Sequence, residues 1–216
     1  AKWAKTPAAP STNPYDRDFI ALELDIFKNW LVNDFISAEL SAEQQQTWQT
    51  STALLINTLL EQPTVTMHRD YHSRNIMRCE QQWAIIDYQD AVQGPLCYDL
   101  VSLLRDCYFK LPKDELAHLL EFGYDEFKRQ GLTHESFAEF KYWFDLTGLQ
   151  RHLKAAGIFC RLYLRDGKQG YLANILPTLE YVIEVAAQYP ELSDLSAFIK
   201  TSVVPKVQQR LKEEQP

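Results

Sequence analysis

The chain has 216 residues, 46% of them hydrophobic, enough for one large domain or two small ones with a buried core. Its formal charge of −7 and the lack of any basic stripe exclude a general nucleic-acid surface. No segment approaches the ~20 apolar residues that span a bilayer, and Ala1-Lys2-Trp3-Ala4-Lys5 lacks the apolar run of a signal peptide, so a cytoplasmic protein without a membrane partner is expected.

Seven glycines and ten prolines favour helices over a loop-rich fold. Pro7, Pro10 and Pro14 mark residues 1–14 as a tail or linker, leaving 15–216 as one lobe. Leu24, Phe27, Leu31 and Phe35 recur at three- and four-residue steps, which predicts a helix with one apolar face and Asp16 or Asp18 near its start. Ser41-Ala42-Glu43-Gln44 fits a capping box, so a second helix should run to about Glu61, where Pro63 stops it. Val65 to Met67 reads as a short strand. Gly94-Pro95 reads as a break before a helix from about Cys97 to Phe109, with Asp99 at its front, where an acid favours the positive end of the dipole. A helix from Pro112 to about Gln130 ends at Gly131, and Thr133 to Ser136 start another whose Phe137, Phe140, Tyr142, Trp143 and Phe144 read as core. Arg151, His152, Lys154, Arg161 and Arg165 read as a solvated basic face, and two more helical stretches, Tyr171 to Gln188 and Leu192 to Leu211, follow. Cys79, Cys97, Cys107 and Cys160 form no Cys-x-x-Cys pair, so reduced cysteines are expected rather than a zinc site.

The chemistry concentrates between Met67 and Leu100. Asp70, Asp87 and Asp99 each lie at or near the end of an apolar run, and a carboxylate there is costly unless it is paired or binds a cation. Ile76 to Cys79 and Trp83 to Asp87 read as two strands joined by Glu80-Gln81-Gln82. A turn centred on Gln81 sets Asn75 opposite Asp87, with Cβ atoms roughly 4.5–5.5 Å apart. One oxygen from each then reaches a common cation, while Asp70 orients an attacking hydroxyl and takes its proton. That division of labour belongs to phosphoryl transfer with ATP and Mg2+.

His68-Arg69-Asp70 followed by Asn75 resembles the catalytic loop of the protein-kinase-like phosphotransferases, and Asp87 stands where their magnesium-binding aspartate stands. Ile85-Ile86-Asp87-Tyr88-Gln89-Asp90 and Tyr98-Asp99-Leu100 are closer to the aminoglycoside phosphotransferase branch. The longer run, on through Val101 to Asp106, is similar to the bacterial kinases that phosphorylate the anomeric hydroxyl of N-acetylmuramate and N-acetylglucosamine in cell-wall recycling. The resemblance implies a mainly α fold: the helical C-terminal lobe, with a small β-hairpin carrying the catalytic and metal-binding residues. It implies Asp70 as the proton acceptor and His68 as holding the loop together, while Arg74 either gives cationic help to the transferring phosphoryl group or forms a surface salt bridge. His72, Asn75 and Asp87 are placed on the nucleotide, Asn75 and Asp87 as the Mg2+ ligands. Asp99 braces the loop through backbone hydrogen bonds, and Asp90 and Arg105 are candidates for the substrate. Arg105 and Asp106 either pair with neighbours or line the sugar pocket, and Asn29-Trp30 either packs a helix end or contacts sugar. The β-rich lobe that covers the nucleotide in such kinases has no counterpart here, so the chain is expected to need that N-terminal lobe as a partner. Aminoglycoside, choline or homoserine kinases, or a non-catalytic binding module, are the alternatives.

Overall fold

The protein, described by a computed structural model, is seen over residues 1–7, 15–80 and 82–214. Pro10 and Pro14 of the predicted tail and Gln81, the predicted centre of the turn, lie outside the described residues. In chain order come α1 (Arg17–Ile26), which continues in π-helical form over Phe27–Phe35, and α2 (Ala42–Glu61). Four strands follow: β1 (Thr64–Met67), β2 (Ile76–Cys79), β3 (Gln82–Ile85) and β4 (Val92–Pro95). The rest is helical: α3 (Tyr98–Leu104), α4 (Lys113–Arg129), α5 (Phe137–Leu164), α6 (Ile175–Ala186), α7 (Ser193–Phe198) and α8 (Val204–Glu213), with π-helical turns at Ile199–Val203. The described residues are thus mainly α, as predicted, with two small antiparallel sheets, β1–β4 and β2–β3.

Local chemistry sets many of these bounds. Asp16 Oδ1 accepts the Phe19 N–H at 3.0 Å and starts α1. At α2 the capping box closes both ways: Gln44 N–H donates to Ser41 Oγ at 3.2 Å, and Ser41 N–H to Gln44 Oε1 at 3.0 Å. Gly131, at φ 69, follows the end of α4 in the left-handed region that favours glycine.

Contacts divide the chain into two units, Ala1–Phe19 with Asn57–Gly148, and Ile20–Ile56 with Leu149–Pro216. In the first unit Val101, Leu104, Leu120, Phe140 and Phe144 form the core, so the aromatics of early α5 pack inward as expected. β1 does not run alone. It pairs with β4 from Thr64↔Pro95 to Met67↔Val92, where the sequence suggested only a break. Buried Gln62 ties the layers together: its Nε2 donates to Thr147 Oγ1 at 2.9 Å and its Oε1 accepts Cys97 N–H at 3.1 Å, fixing the start of α3. Ala1 and Ala4 pack against this core, while Lys2, Trp3, Lys5, Thr6 and Pro7 are exposed. Trp3–Lys5 form a turn, Trp3 meets the His68 ring at 5.8 Å, and the Thr66 hydroxyl bonds the Thr6 carbonyl. α3 stops at Leu104, short of the predicted Phe109, because Arg105 and Asp106 leave the helix for tertiary partners.

In the second unit the predicted face of α1 is buried as Leu24, Phe27, Leu31 and Phe35, and Phe27 stacks on Trp48 at 5.2 Å. Trp30 is half-buried in the middle of the π-helical run, not at a helix end. The basic face is corrected as well. Lys154 Nζ lies 2.5 Å from buried Glu23 Oε1, which needs a cation so far from water, and His152 is buried flat against Tyr181 at 4.6 Å. Gly157 of α5 lets backbone approach backbone: a Cβ there would sit 2.5 Å from Ile26 O and 2.7 Å from Phe27 N. Backbone cannot rotate away, so the clash takes the upper end of the roughly 1–3 kcal/mol cost of overpacking. It outweighs the ~1 kcal/mol that alanine gains over glycine in a helix interior. Gly157→Ala is therefore expected to lose about 2 kcal/mol in urea unfolding, and an unchanged midpoint would contradict this close approach.

Candidate active site

β1 delivers the loop Met67–Asn75 out of the core. Its backbone turns sharply at Arg69, whose φ of 73 is unusual for a residue with a side chain. Asp99, in the first turn of α3, holds that turn: Oδ2 accepts His68 N–H at 2.7 Å and Oδ1 accepts Arg69 N–H at 3.1 Å. His68 is buried between the rings of Trp3 and Tyr71, at 5.8 and 6.0 Å, and the Arg69 guanidinium lies over Phe19 at 5.0 Å. Burial, and then the Asp99 charge, push the Tyr71 hydroxyl above its ordinary pKa. His68 also lines a cavity of about 490 Å3 walled by Leu100, Leu103, Leu104, Leu119 and Phe127. Asp70, Asn75 and Asp87 do not line it; Asp70 and Asn75 are half-buried and Asp87 is exposed.

The hairpin register differs from the expected one by a residue. Ile76 pairs with Ile85 and Cys79 with Gln82, so Gln82 belongs to the strand and the reversal begins at Glu80, at φ 52. Asn75 therefore stands opposite Ile86, whose N–H donates to Asn75 O at 3.1 Å. Asp87 falls one position past this pair, and it too has a left-handed backbone, φ 69. That strained conformation returns its carboxylate to the amide: Asn75 Nδ2 lies 3.4 Å from Asp87 Oδ2 and 3.0 Å from the Asp70 carbonyl oxygen. The amide nitrogen donates in both contacts, so the atom Asn75 offers a cation is Oδ1. Gln89 Nε2 donates to Asp87 Oδ1 at 2.6 Å and orients the carboxylate from the other side. Two hard oxygen donors, one anionic and exposed to solvent, are the donor set Mg2+ takes when phosphates complete its shell.

The remaining candidates divide. The His72 ring meets Tyr108 edge-on at 5.6 Å and the Arg74 guanidinium covers the same ring at 3.5 Å, His72 just before the turn Ser73–Asn75 and Arg74 within it. Asp90 stands exposed on the turn before β4. Arg105 pairs with a neighbour, the first of the two roles the sequence left open. It is 8% exposed and bonds Asp145 Oδ1 at 2.5 Å, since a guanidinium this deep requires an anion. Tyr108 escaped sequence reasoning, because an aromatic near the end of a predicted helix carries no mark of a contact 34 residues back in the chain.

Residues 1–138 match the phosphotransferase enzyme family known as APH. The chain belongs to this phosphotransferase family. Among curated proteins it is 41% identical over 186 residues to the N-acetylmuramate/N-acetylglucosamine kinase of Neisseria meningitidis serogroup B, covering 86% of this chain and 56% of that one. It is 35% identical over 199 residues to the kinase of the same name in Pseudomonas putida, with coverages of 92% and 59%. The Pseudomonas aeruginosa kinase of that name is 35% identical over 186 residues, with 86% and 55%. The phosphotransferase chain thus spans little more than half the length of these relatives. No helix among its described residues is long and apolar enough to cross a membrane.

Proposed function

We propose that this chain carries the acceptor-activating and metal-holding part of an ATP-dependent kinase acting on the anomeric hydroxyl of an N-acetylated amino sugar, N-acetylmuramate or N-acetylglucosamine, in cytoplasmic cell-wall recycling. The single observation that supports it most is the Asn75 amide, which joins the Asp70 backbone to the Asp87 carboxylate. The names of the relatives favour the acceptor.

The Asp70 carboxylate accepts the proton of the sugar hydroxyl as its oxygen attacks the γ-phosphorus; the bond from γ-phosphorus to the bridging oxygen breaks and ADP leaves. Asn75 Oδ1 and the Asp87 carboxylate would hold Mg2+, which when bound would supply positive charge against that developing on the phosphates. Asp99 keeps the loop in its left-handed turn through the His68 and Arg69 N–H groups, and His68 fills the space beneath. Arg74 and His72 are the candidates for contact with phosphate oxygens, and Asp90 for contact with the acceptor. The relatives' greater length supports a further segment that completes the nucleotide site, so the 216-residue chain alone is expected to bind ATP weakly.

The test is ADP release by the protein at the relatives' length, offered N-acetylmuramate, N-acetylglucosamine, kanamycin or choline. Turnover with the two amino sugars alone is expected. Turnover only with kanamycin or choline would replace the acceptor, and no turnover with any would leave a binding module.

A further inference from the structure

We propose that Asp106 is a positioning residue for the metal site, a clamp that fixes the turn carrying Asn75 and the ring on which Arg74 and His72 rest; this extends the metal-holding reading of Asn75. Three things point to it. Asp106 is a carboxylate with 4% of its surface exposed, and it has left the end of α3 to reach the catalytic loop. Its Oδ2 accepts the Ser73 N–H at 2.9 Å, and its Oδ1 accepts the Tyr108 N–H at 2.9 Å. Both partners are backbone donors, so the bonds set main-chain position and not merely a rotamer.

The geometry explains what is held. Ser73 opens the single helical turn Ser73–Asn75, whose start has no side-chain cap of its own. The first N–H groups of any helical turn have no partner within it. Asp106 supplies the missing acceptor from 33 residues away. The turn then closes with Asn75 N–H on His72 O at 3.0 Å, and His72 N–H reaches Asp70 O at 3.0 Å. Four consecutive anchors, on Ser73, His72, Asn75 and the Asn75 amide, thus aim one carboxamide. The second oxygen of Asp106 places Tyr108, and that ring takes the Arg74 guanidinium at 3.5 Å and the His72 edge at 5.6 Å. One buried acid therefore fixes a cation ligand and two polar side chains beside it. Asparagine cannot substitute, because its NH2 would face one of the two N–H groups.

Groups behind metal ligands matter at about 10- to 100-fold in affinity when replaced. In the 216-residue chain, Mn2+ titrations followed by electron paramagnetic resonance should show Asp106→Asn binding about 10- to 100-fold more weakly than the natural chain. Amide exchange read by NMR should show faster exchange at Ser73 and Tyr108. Ser73→Pro is the second variant. It removes only the donor at the first position of the turn, where proline is tolerated, and His72 already has the extended backbone that precedes a proline (φ −123, ψ 170). It should lose cation affinity in the same way while helix content is unchanged, which a purely structural role would not produce. Asp87→Asn is the control. If it leaves Mn2+ binding unchanged, the metal site itself is misplaced, while the Ser73 and Tyr108 exchange rates still judge the clamp. If Asp87→Asn abolishes binding and folded Asp106→Asn or Ser73→Pro binds as well as the natural chain, the clamp does not position the metal. Rapid exchange at Ser73 in the natural chain would overturn it without any variant.

Discussion

On the proposed reading of this chain as part of an amino-sugar kinase with Asp70 as its base, Asp70→Ala in the protein at its relatives' length should lower kcat by about 10²- to 10⁴-fold, the usual contribution of a positioned general base. On the barrier this is about 3–5 kcal/mol. The loss should fall on kcat with little change in Mg2+ dependence, for a structural reason. Asp70 is attached to the metal side of the site through its backbone carbonyl, which takes the Asn75 amide and the His72 N–H at 3.0 Å each. Alanine keeps that carbonyl, so Asn75 stays aimed and only the side chain is removed. Asp87→Asn should do the reverse, raising the Mg2+ needed for half-maximal rate. Asp70→Asn separates two roles that alanine removes together: a carboxamide can still orient the hydroxyl but takes no proton. Near-full activity in Asp70→Asn would show that proton acceptance is not required. Near-full activity in Asp70→Ala would remove this residue from the mechanism.

Local chemistry made much of the site legible beforehand. A hydrogen-bonding residue at a cap, a proline after a helix and polar residues between two apolar runs act over a few positions, and α1, α2 and the β2–β3 hairpin follow from them. Most of the errors come from contacts between residues distant in sequence, and the hairpin register from a local backbone conformation. β4 looked like a break because Gly94 and Pro95 punctuate local structure, yet it pairs with β1, and the Met67 side chain fills the space beside Gly94, where a Cβ would stand 2.5 Å from Met67 Cε. The hairpin register depended on a left-handed Glu80, which carries no sequence signal comparable to glycine. Asn75 and Asp87 still meet, through a backbone strain at Asp87 that no spacing rule contains. Lys154 and His152 looked solvated because Glu23 and Tyr181 lie in other elements. The early end of α3 is the most instructive case. Helical periodicity runs on through Cys107, but Arg105 and Asp106 each gain more from a buried partner outside the helix than another turn would supply.

Of those two, Arg105 governs stability, and Asp145→Ala should expose it. Asp145 is fully buried and takes Arg105 Nη2 on Oδ1 and Lys141 Nζ on Oδ2, both at 2.5 Å. The two cations are not equivalent. Lys141 is 41% exposed and can turn to water, whereas Arg105 is 8% exposed, laid over the Phe144 ring at 4.9 Å. Gly148 leaves room for it, since a Cβ there would stand 3.2 Å from Nη1. Removing the acid strands a buried guanidinium, a change that costs about 3–5 kcal/mol. Urea unfolding should register a loss of that order for Asp145→Ala, and less than about 1 kcal/mol for Lys141→Ala, whose partner keeps Arg105. Burial, and then the Asp145 charge, also push the Cys97 thiol well up, so the acid's field reaches the start of α3. Replacing both members, Arg105→Met with Asp145→Leu, should recover most of the stability, because the desolvation of two charges disappears with the pair. If Asp145→Ala were as stable as the natural chain, Arg105 would have to reach water, and the buried end of α3 that sends Asp106 to the catalytic loop would be wrong with it.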